Sequence, residues 1–180
     1  MTQQSRYTTV DFGTLIDRHQ GELLRYLARL TGDAVLAEDL FQETFLRAFR
    51  HLRRLSDDAN HRAWLYRIAT NVFLNHRRAA RRRPEAGLGD HHPSQAPSPS
   101  EAFEFASTVA ALQTAISRLL PKQRVVFVQR RLQGLSYAEL GETLGCTTEA
   151  ARASAYQAAR RLRRELTHEG AAADRAGRKR

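Results

Sequence analysis

Three side chains with hydrogen-bonding chemistry recur at helical spacing in the segment AEDLFQETF: Asp39, Gln42 and Glu43. Steps of three and four residues place them on one face of an α-helix. Carboxylates grouped in this way could exchange protons, bind a cation or dock on a basic partner. The sequence has no glycine-rich phosphate loop, no H-E-x-x-H motif and no Cys/His zinc spacing that would complete a reactive centre. It therefore predicts no enzyme activity, no metal and no cofactor.

The opposite side of the same helix is apolar. With a rotation of about 100° per residue, this side contains Ala37, Phe41, Phe45, Ala48 and Leu52. This side must face a core, so the acidic side must be exposed. Two interpretations are open for it. One is a solvated surface on which Glu43 pairs with Arg47 four residues later. The other is a docking surface for a protein, because acidic groups repel DNA phosphates.

The charge of the whole chain points to a polyanionic partner. Its 180 residues carry a formal net charge of +10, and 42% of them are hydrophobic, enough to build a core. No apolar run approaches the length of a membrane span, and the first residues lack the apolar stretch of a signal peptide. One cysteine, Cys146, cannot form an internal disulfide. We expect a cytoplasmic protein without membrane insertion.

The elements that position these side chains are all helical. We predict an all-α fold of two small domains, at 10–82 and 101–167, joined by a flexible linker at 83–100. That linker, RPEAGLGDHHPSQAPSPS, is rich in proline, glycine and serine and has no apolar periodicity. Residues 1–9 and the basic tail 168–180 are predicted to be disordered. Apolar spacing predicts helices over about 10–30, 34–52, 59–78, 101–119, 122–132 and 136–144, and a last one ending near Leu166.

A dense run of arginine follows the third predicted helix, in the sequence HRRAARRR. Arg77, Arg78, Arg81 and Arg82 can neutralise phosphates, which gives affinity without sequence information. The alternative is a solvated last turn, favoured by the dipole of the helix. The density of arginine favours the phosphate-binding interpretation.

The C-terminal domain has the outline of a helix-turn-helix. Ser136 and Glu139 have capping-box spacing, Gly145 suits the end of the short helix, and Thr147 or Thr148 caps the last one. One side of that last helix is apolar, and the other carries long polar side chains, of which Arg can read guanine and Gln adenine in the major groove. The predicted duplex-binding residues are Thr148, Glu149, Arg152, Ala153, Tyr156, Gln157, Arg160 and Arg164. Of these, Arg164 is expected to hold phosphate.

Several of these motifs together resemble one family. AEDLFQETFLRAFRHL resembles the second conserved segment of bacterial sigma factors, whose hallmark D-x-x-Q-E matches Asp39, Gln42 and Glu43. RAWLYRIATNVFLNHRR and the stretch from LPKQRVVF to ARRLRREL resemble later segments of the extracytoplasmic-function (ECF) group. The resemblance covers roughly Val10 to Leu166, apart from the linker.

This resemblance implies a division of labour along the chain. Asp39, Gln42 and Glu43 would dock on the clamp helices of RNA polymerase. Asn71 and Asn75, with the arginines after them, would bind the opened minus-ten promoter element, and the helix-turn-helix would bind minus-thirty-five DNA. The resemblance also implies an anti-sigma factor as a further partner.

We therefore predict an alternative sigma factor that binds core RNA polymerase and promoter DNA and directs promoter-specific transcription initiation. Two alternatives are kept. A stand-alone helix-turn-helix transcriptional regulator would bind promoter duplex tightly without polymerase. An enzyme acting on nucleic acid, such as a nuclease, would need convergent carboxylates or a metal.

Overall fold

A computed structural model describes residues 11–56, 58–82 and 100–177, and every regular element in those ranges is helical. The all-α prediction is confirmed. The predicted N-terminal segment 1–9 and all but the last residue of the predicted linker 83–100 lie outside the described ranges. The exact domain limits therefore stay a prediction.

Three helices form the N-terminal unit: α1 (Phe12–Thr31), α2 (Ala34–His51) and α3 (His61–Arg82). The Asp33 carboxylate accepts a hydrogen bond from the backbone N–H of Leu36 and so begins α2. Gly32, with φ of 72°, ends α1 in the left-handed conformation that other residues adopt only with strain. A 3₁₀ turn at Leu52–Arg54 follows α2. These short, capped connections hold the three helices together around one core.

The C-terminal unit contains α4 (Ser100–Ser117), α5 (Pro121–Phe127), α6 (Tyr137–Leu144) and α7 (Thr148–Gly177). The sequence predicted one regular helix over about 122–132. In the structure α5 stops at Phe127, and a π-helical segment, Val128–Leu132, continues the chain. Apolar periodicity does not distinguish these forms, because one wider turn changes the spacing by only one residue.

The last helix is longer than the sequence predicted. We placed its end near Leu166 and a disordered tail at 168–180, whereas α7 continues to Gly177. The extra turns contain the run AAADRA, and alanine is the strongest helix former. The prediction gave too much weight to the charge of the tail and too little to its alanines.

The two units are packed against each other. One buried apolar cluster includes Leu23, Leu65 and Ala69 of the N-terminal unit with Val125 and Leu135 of the C-terminal unit. A second, smaller cluster of Val126, Leu140 and Ala151 joins α5, α6 and the start of α7. Leu162, further along α7, belongs to the larger cluster. Helix α7, which we call the reader helix because the sequence predicts that it binds DNA, is therefore held by both clusters.

Candidate protein and nucleic-acid interfaces

The acidic side of α2 is exposed, as its spacing predicted. Asp39, Gln42 and Glu43 all face solvent, whereas Ala37 and Ala48 on the other side are fully buried. Glu43 Oε1 accepts a hydrogen bond from Arg47 Nη2 at 2.5 Å, and both side chains stay exposed. An exposed pair of this kind contributes only about 0.3–0.5 kcal/mol. The pairing therefore exists, yet it leaves the face accessible to a partner.

Three large apolar side chains extend this face, and the sequence reasoning missed them. Val35, Leu46 and Phe49 are 72%, 58% and 62% exposed. Together with Asp39 and Gln42 they follow steps of four, three, four and three residues, which is a single stripe along α2. We call these five residues the α2 stripe. The steps of three and four residues that group Asp39 with Gln42 also group these apolar residues, so the sequence does contain the signal. Leu46 and Phe49 are neighbours on the stripe, whereas Asp39 and Gln42 separate them from Val35. Exposed apolar side chains next to polar and acidic ones are typical of an interaction surface.

The exposed side of α3 carries most of the residues predicted for single-stranded DNA. Asn71, Asn75 and Arg78 are exposed, and Arg78 Nη1 donates a hydrogen bond to Asn75 Oδ1 at 3.0 Å. Arg81 and Arg82 are also exposed at the end of the helix. These side chains form one polar, basic strip.

Two further aromatic and basic side chains of α3 lie closer to the core. Arg77 is half-buried, and its Nε is enclosed without a hydrogen-bond partner among the described residues, which sets it apart from the strip. Trp64 is half-buried and packs against the core cluster.

The helix-turn-helix has the predicted caps. Ser136 Oγ accepts from the backbone N–H of Glu139 at 3.1 Å, and Glu139 Oε2 accepts from the backbone N–H of Ser136 at 2.8 Å. Gly145, with φ of 65°, ends α6. Thr147, the first of the two predicted caps, accepts from the backbone N–H of Ala150 and begins α7. These caps set where α6 begins and ends and where α7 begins.

The groups predicted to meet duplex DNA share the outer side of α7. Thr148 is half-buried, and the others are exposed: Glu149, Arg152, Ala153, Tyr156, Gln157, Arg160 and Arg164. The apolar side, predicted from Ala151, Ala155, Ala158, Leu162 and Leu166, is buried or half-buried. The structure thus presents the long polar side chains away from the unit, as reading a major groove requires.

A basic cleft beside this surface was not predicted. It has a volume of about 410 Å³, and Arg130 and Arg131 from the π-helical segment line it together with Arg160 and Arg163 of α7. The Arg130 guanidinium lies 4.6 Å from the centre of the Tyr137 ring. Apolar spacing predicted a helix over this segment, and Arg130 and Arg131 had no predicted role. The cleft adds positive charge from a second element to the reader surface.

Among the residues that the structure describes, no helix is long and apolar enough to cross a membrane. Within the same ranges, no group of three His, Cys, Asp or Glu side chains could hold a metal ion. The described ranges do present exposed polar and charged surfaces on α2, α3 and α7.

Two family models match the two units. Sigma-70 region 2 matches residues 15–83, and sigma-70 region 4 matches residues 110–162. The match to region 2 contains the α2 stripe and the strip on α3. The match to region 4 contains the helix-turn-helix.

Curated relatives and solved structures agree with these matches. The ECF RNA polymerase sigma factor SigL of Mycobacterium tuberculosis is 34% identical over 87% of this chain and 89% of its own length. SigE of Mycolicibacterium smegmatis is 36% identical over 83% of this chain, which spans 59% of that protein. The sigma factor RpoE from Bartonella quintana, solved with the anti-sigma factor NepR, shares the fold with a TM-score of 0.69 at 23% identity, over 87% of this chain and 97% of RpoE. On this evidence the chain belongs to the sigma-70 family and is an alternative sigma factor of the extracytoplasmic-function group.

Proposed function

We propose that this chain binds core RNA polymerase through the α2 stripe together with Glu43 and directs the polymerase to promoters. The observation that carries the proposal is the composition of that surface. It joins acidic and apolar side chains on the exposed side of a helix in a protein of net charge +10. Such a surface repels DNA and suits a basic protein partner, with charge guiding the approach and apolar burial supplying affinity.

The second part of the proposal concerns opened minus-ten DNA. The strip of Asn71, Asn75, Arg78, Arg81 and Arg82 on α3 supplies amides that can pair with base edges and arginines that can hold phosphates. Single-strand binding needs this combination because an unstacked base exposes its hydrogen-bonding edge. Arg77 is half-buried, so it would contribute positive electrostatic potential and would not contact the DNA directly.

The third part concerns duplex minus-thirty-five DNA. Gln157 and Arg160 lie on the exposed side of α7, where they can read bases, and Arg164 follows one turn later to hold phosphate. The basic cleft formed by Arg130, Arg131, Arg160 and Arg163 would bind the neighbouring phosphates. The chain itself would catalyse nothing, since polymerase performs the chemistry.

Two expectations about cellular context belong to the same proposal. The protein would act in the cytoplasm, where it meets polymerase and DNA. An anti-sigma factor would hold it inactive, as the complex of RpoE with NepR illustrates for a protein of the same fold.

The test is reconstitution with core polymerase. Asp39→Lys combined with Glu43→Lys should abolish holoenzyme formation and run-off transcription, because it reverses the charge of the docking surface. The matched control is Asp17→Lys combined with Glu142→Lys, which makes the same change of net charge at two exposed positions on α1 and α6. Equal polymerase binding by both double variants would contradict the proposal. Tight promoter binding without polymerase would favour the stand-alone regulator instead.

A further inference from the structure

Two arginines from different elements lie over one tyrosine ring in the helix-turn-helix. The guanidinium carbon of Arg130, in the π-helical segment, is 4.6 Å from the centre of the Tyr137 ring. The guanidinium carbon of Arg152, on α7, is 5.3 Å from the same centre. A cation within about 6 Å of a ring centre is attracted to the face of that ring. One aromatic side chain thus gathers two cations that repel each other.

The Tyr137 ring is a fixed platform. Tyr137 is the first residue of α6, directly after the Ser136 cap. Its side chain is half-buried and packs against the small cluster of Val126, Leu140 and Ala151. Because the cluster holds the ring in place, the ring can in turn restrict the long arginine side chains that lie over it.

Arg130 is held at a second point. Its Nη1 donates a hydrogen bond to the carbonyl oxygen of Leu135 at 3.3 Å, and its side chain is half-buried. Leu135 is itself tied to the π-helical segment, because its backbone N–H donates to the Gln129 carbonyl oxygen at 3.0 Å. The Arg130 guanidinium therefore has a defined position before any ligand binds.

The positive charge of this pair is not neutralised by the protein. Within the described ranges, no carboxylate forms an ion pair with Arg130 or Arg152. Arg131, Arg160 and Arg163 line the same cleft and add to its charge. A cleft with charge of one sign concentrates ions of the opposite sign. Two ordered guanidiniums without a carboxylate partner are suited to bind phosphate groups.

The position of the pair in the motif indicates which phosphates these are. In a helix-turn-helix the first helix crosses the DNA backbone, while the second lies in the major groove. Tyr137 begins the first of these helices, and Arg152 lies on the exposed side of the second. The two guanidiniums therefore lie where the backbone passes beside the groove. Contacts to phosphates fix the register in which other side chains read bases.

We propose that Tyr137 is a positioning residue for DNA binding, whose ring holds the Arg130 and Arg152 guanidiniums as a preformed pair for backbone phosphates of the minus-thirty-five duplex. This proposal rests on the proposed function and deepens it, because Tyr137 had no predicted role. Arginine side chains that are already ordered lose less conformational freedom when they bind, so the ring raises affinity without contacting DNA itself.

The experiment uses the full-length chain in holoenzyme with core RNA polymerase, and a promoter fragment that carries both elements. Tyr137→Phe keeps the ring and removes the hydroxyl group, whereas Tyr137→Leu removes the ring and keeps an apolar contact with the small cluster. A third variant combines Arg130→Gln with Arg152→Gln. Its matched control combines Arg18→Gln with Arg25→Gln, which removes the same charge at two exposed positions on α1.

Binding is measured at several salt concentrations. Tyr137→Phe should bind the promoter like wild type. Ordering one long side chain costs about two- to tenfold in affinity, and without the ring two must be ordered, so Tyr137→Leu should bind about fivefold or more weakly. Relative to its control, the double arginine variant should lower the slope of log K against log salt concentration by about two. Added to the double arginine variant, Tyr137→Leu should cost no further affinity, because the ring then has nothing to hold.

Nuclear magnetic resonance of the full-length chain tests the positioning without polymerase or DNA. Protons over the face of an aromatic ring resonate upfield, so the Nε–H protons of Arg130 and Arg152 should be shifted upfield in wild type and in Tyr137→Phe. In Tyr137→Leu they should return to the range of the other arginines. The single variants Arg130→Gln and Arg152→Gln assign the two signals. If Tyr137→Leu loses helicity in circular dichroism, Tyr137→Met replaces it, because methionine fills irregular gaps in a core.

Distinct results would overturn the inference. Equal losses in Tyr137→Phe and Tyr137→Leu would show that the hydroxyl group contacts DNA. A loss in Tyr137→Leu that persists without the two arginines would show that Tyr137 acts only through the fold. Ordinary shifts for both Nε–H protons in wild type would refute the positioning. Failure of the wild-type chain to form holoenzyme or to initiate transcription would instead refute the proposed function, and the resonance shifts would still decide whether the ring holds the arginines.

Discussion

Leu46 tests whether the apolar part of the α2 stripe contributes binding energy. Its side chain is 58% exposed and lies between Gln42 and Phe49 along the helix. Full burial of a leucine side chain is worth about 1.5–3 kcal/mol, so covering the exposed part with a partner is worth roughly 1–1.7 kcal/mol. Since Leu46→Ala leaves the β-carbon in place, we expect a loss of about 1–1.5 kcal/mol, which is roughly a 5–12-fold rise in Kd for core polymerase.

The control separates this effect from a general loss of exposed apolar surface. Leu120 is 52% exposed where α5 begins, far along the chain from the stripe. Leu120→Ala should bind polymerase like wild type. Neither change should lower the free energy of unfolding by more than about 0.5 kcal/mol, because both side chains are largely solvated. Titration of labelled protein with core polymerase, followed by fluorescence anisotropy, gives the Kd. Equal Kd values for Leu46→Ala and wild type would refute the reasoning, as would an equal loss in Leu120→Ala.

Three further predictions concern the helix-turn-helix and the residues that support it. Gln157→Ala should cost about 1–3 kcal/mol of binding free energy at one base pair of the minus-thirty-five duplex, whereas Arg164→Ala should weaken binding to every duplex sequence equally and lower the slope of log K against log salt concentration by about one. Competition binding against single-base variants of the duplex distinguishes the two effects, and an equal loss on every variant for Gln157→Ala would show that Gln157 contacts the backbone. Gly141→Ala should destabilise the helix-turn-helix by about 1–3 kcal/mol, because a β-carbon at this position would lie 2.8 Å from a backbone carbonyl oxygen of the following turn. Urea unfolding measures the effect, and an unchanged urea midpoint would contradict this close approach. Burial alone would raise the pKa of Glu22, but hydrogen bonds from His19 and Arg62 lower that pKa below its ordinary value of 4.5. Because the bonded carboxylate stabilises the folded state at higher pH, the free energy of unfolding should fall only as the pH drops below about 4.5. Glu22→Gln should make this fall with pH smaller.

Patterns in the sequence correctly predicted the buried side of a helix and the start of a helix, because both depend on residues that are close together in the chain. The spacing of Ala37 and Ala48 placed the buried side of α2, and Ser136 with Glu139 placed the start of α6, because both depend on residues within one or two turns. The end of α7 was wrong because charge was weighed above alanine content. Helix type was missed at Val128–Leu132, where a π-helical turn changes spacing too little to be read.

Contacts between distant segments were beyond this reasoning. The sequence around Gln129 gives no sign that its amide is buried. Its two acceptors, Tyr26 and Thr70, lie 103 and 59 residues away in the chain. Arg62 likewise gave no sign of reaching Glu139, 77 residues later. An amide or a guanidinium can face solvent just as well as it can bond to a buried partner. A single sequence does not indicate which distant residue such a group contacts. The docking of the two units is therefore a result of the structure alone.

The docked arrangement also bears on the order in which the proposed partners bind. Helix α3 turns the side of Arg62, Tyr66 and Thr70 toward the C-terminal unit, while Asn71 and Asn75, one position further around the helix, remain exposed. The α2 stripe is exposed as well, so under the proposed function polymerase would bind it before the units separate. Separation would belong to the later step, in which the helix-turn-helix leaves α3 to bind its own promoter element. Because a ligand shifts an equilibrium only by its preference for one of two states, polymerase contacts on the α2 stripe alone would not open the chain. We therefore expect opening to be driven by DNA bound across both elements, or by polymerase surfaces that hold the C-terminal unit away from α3.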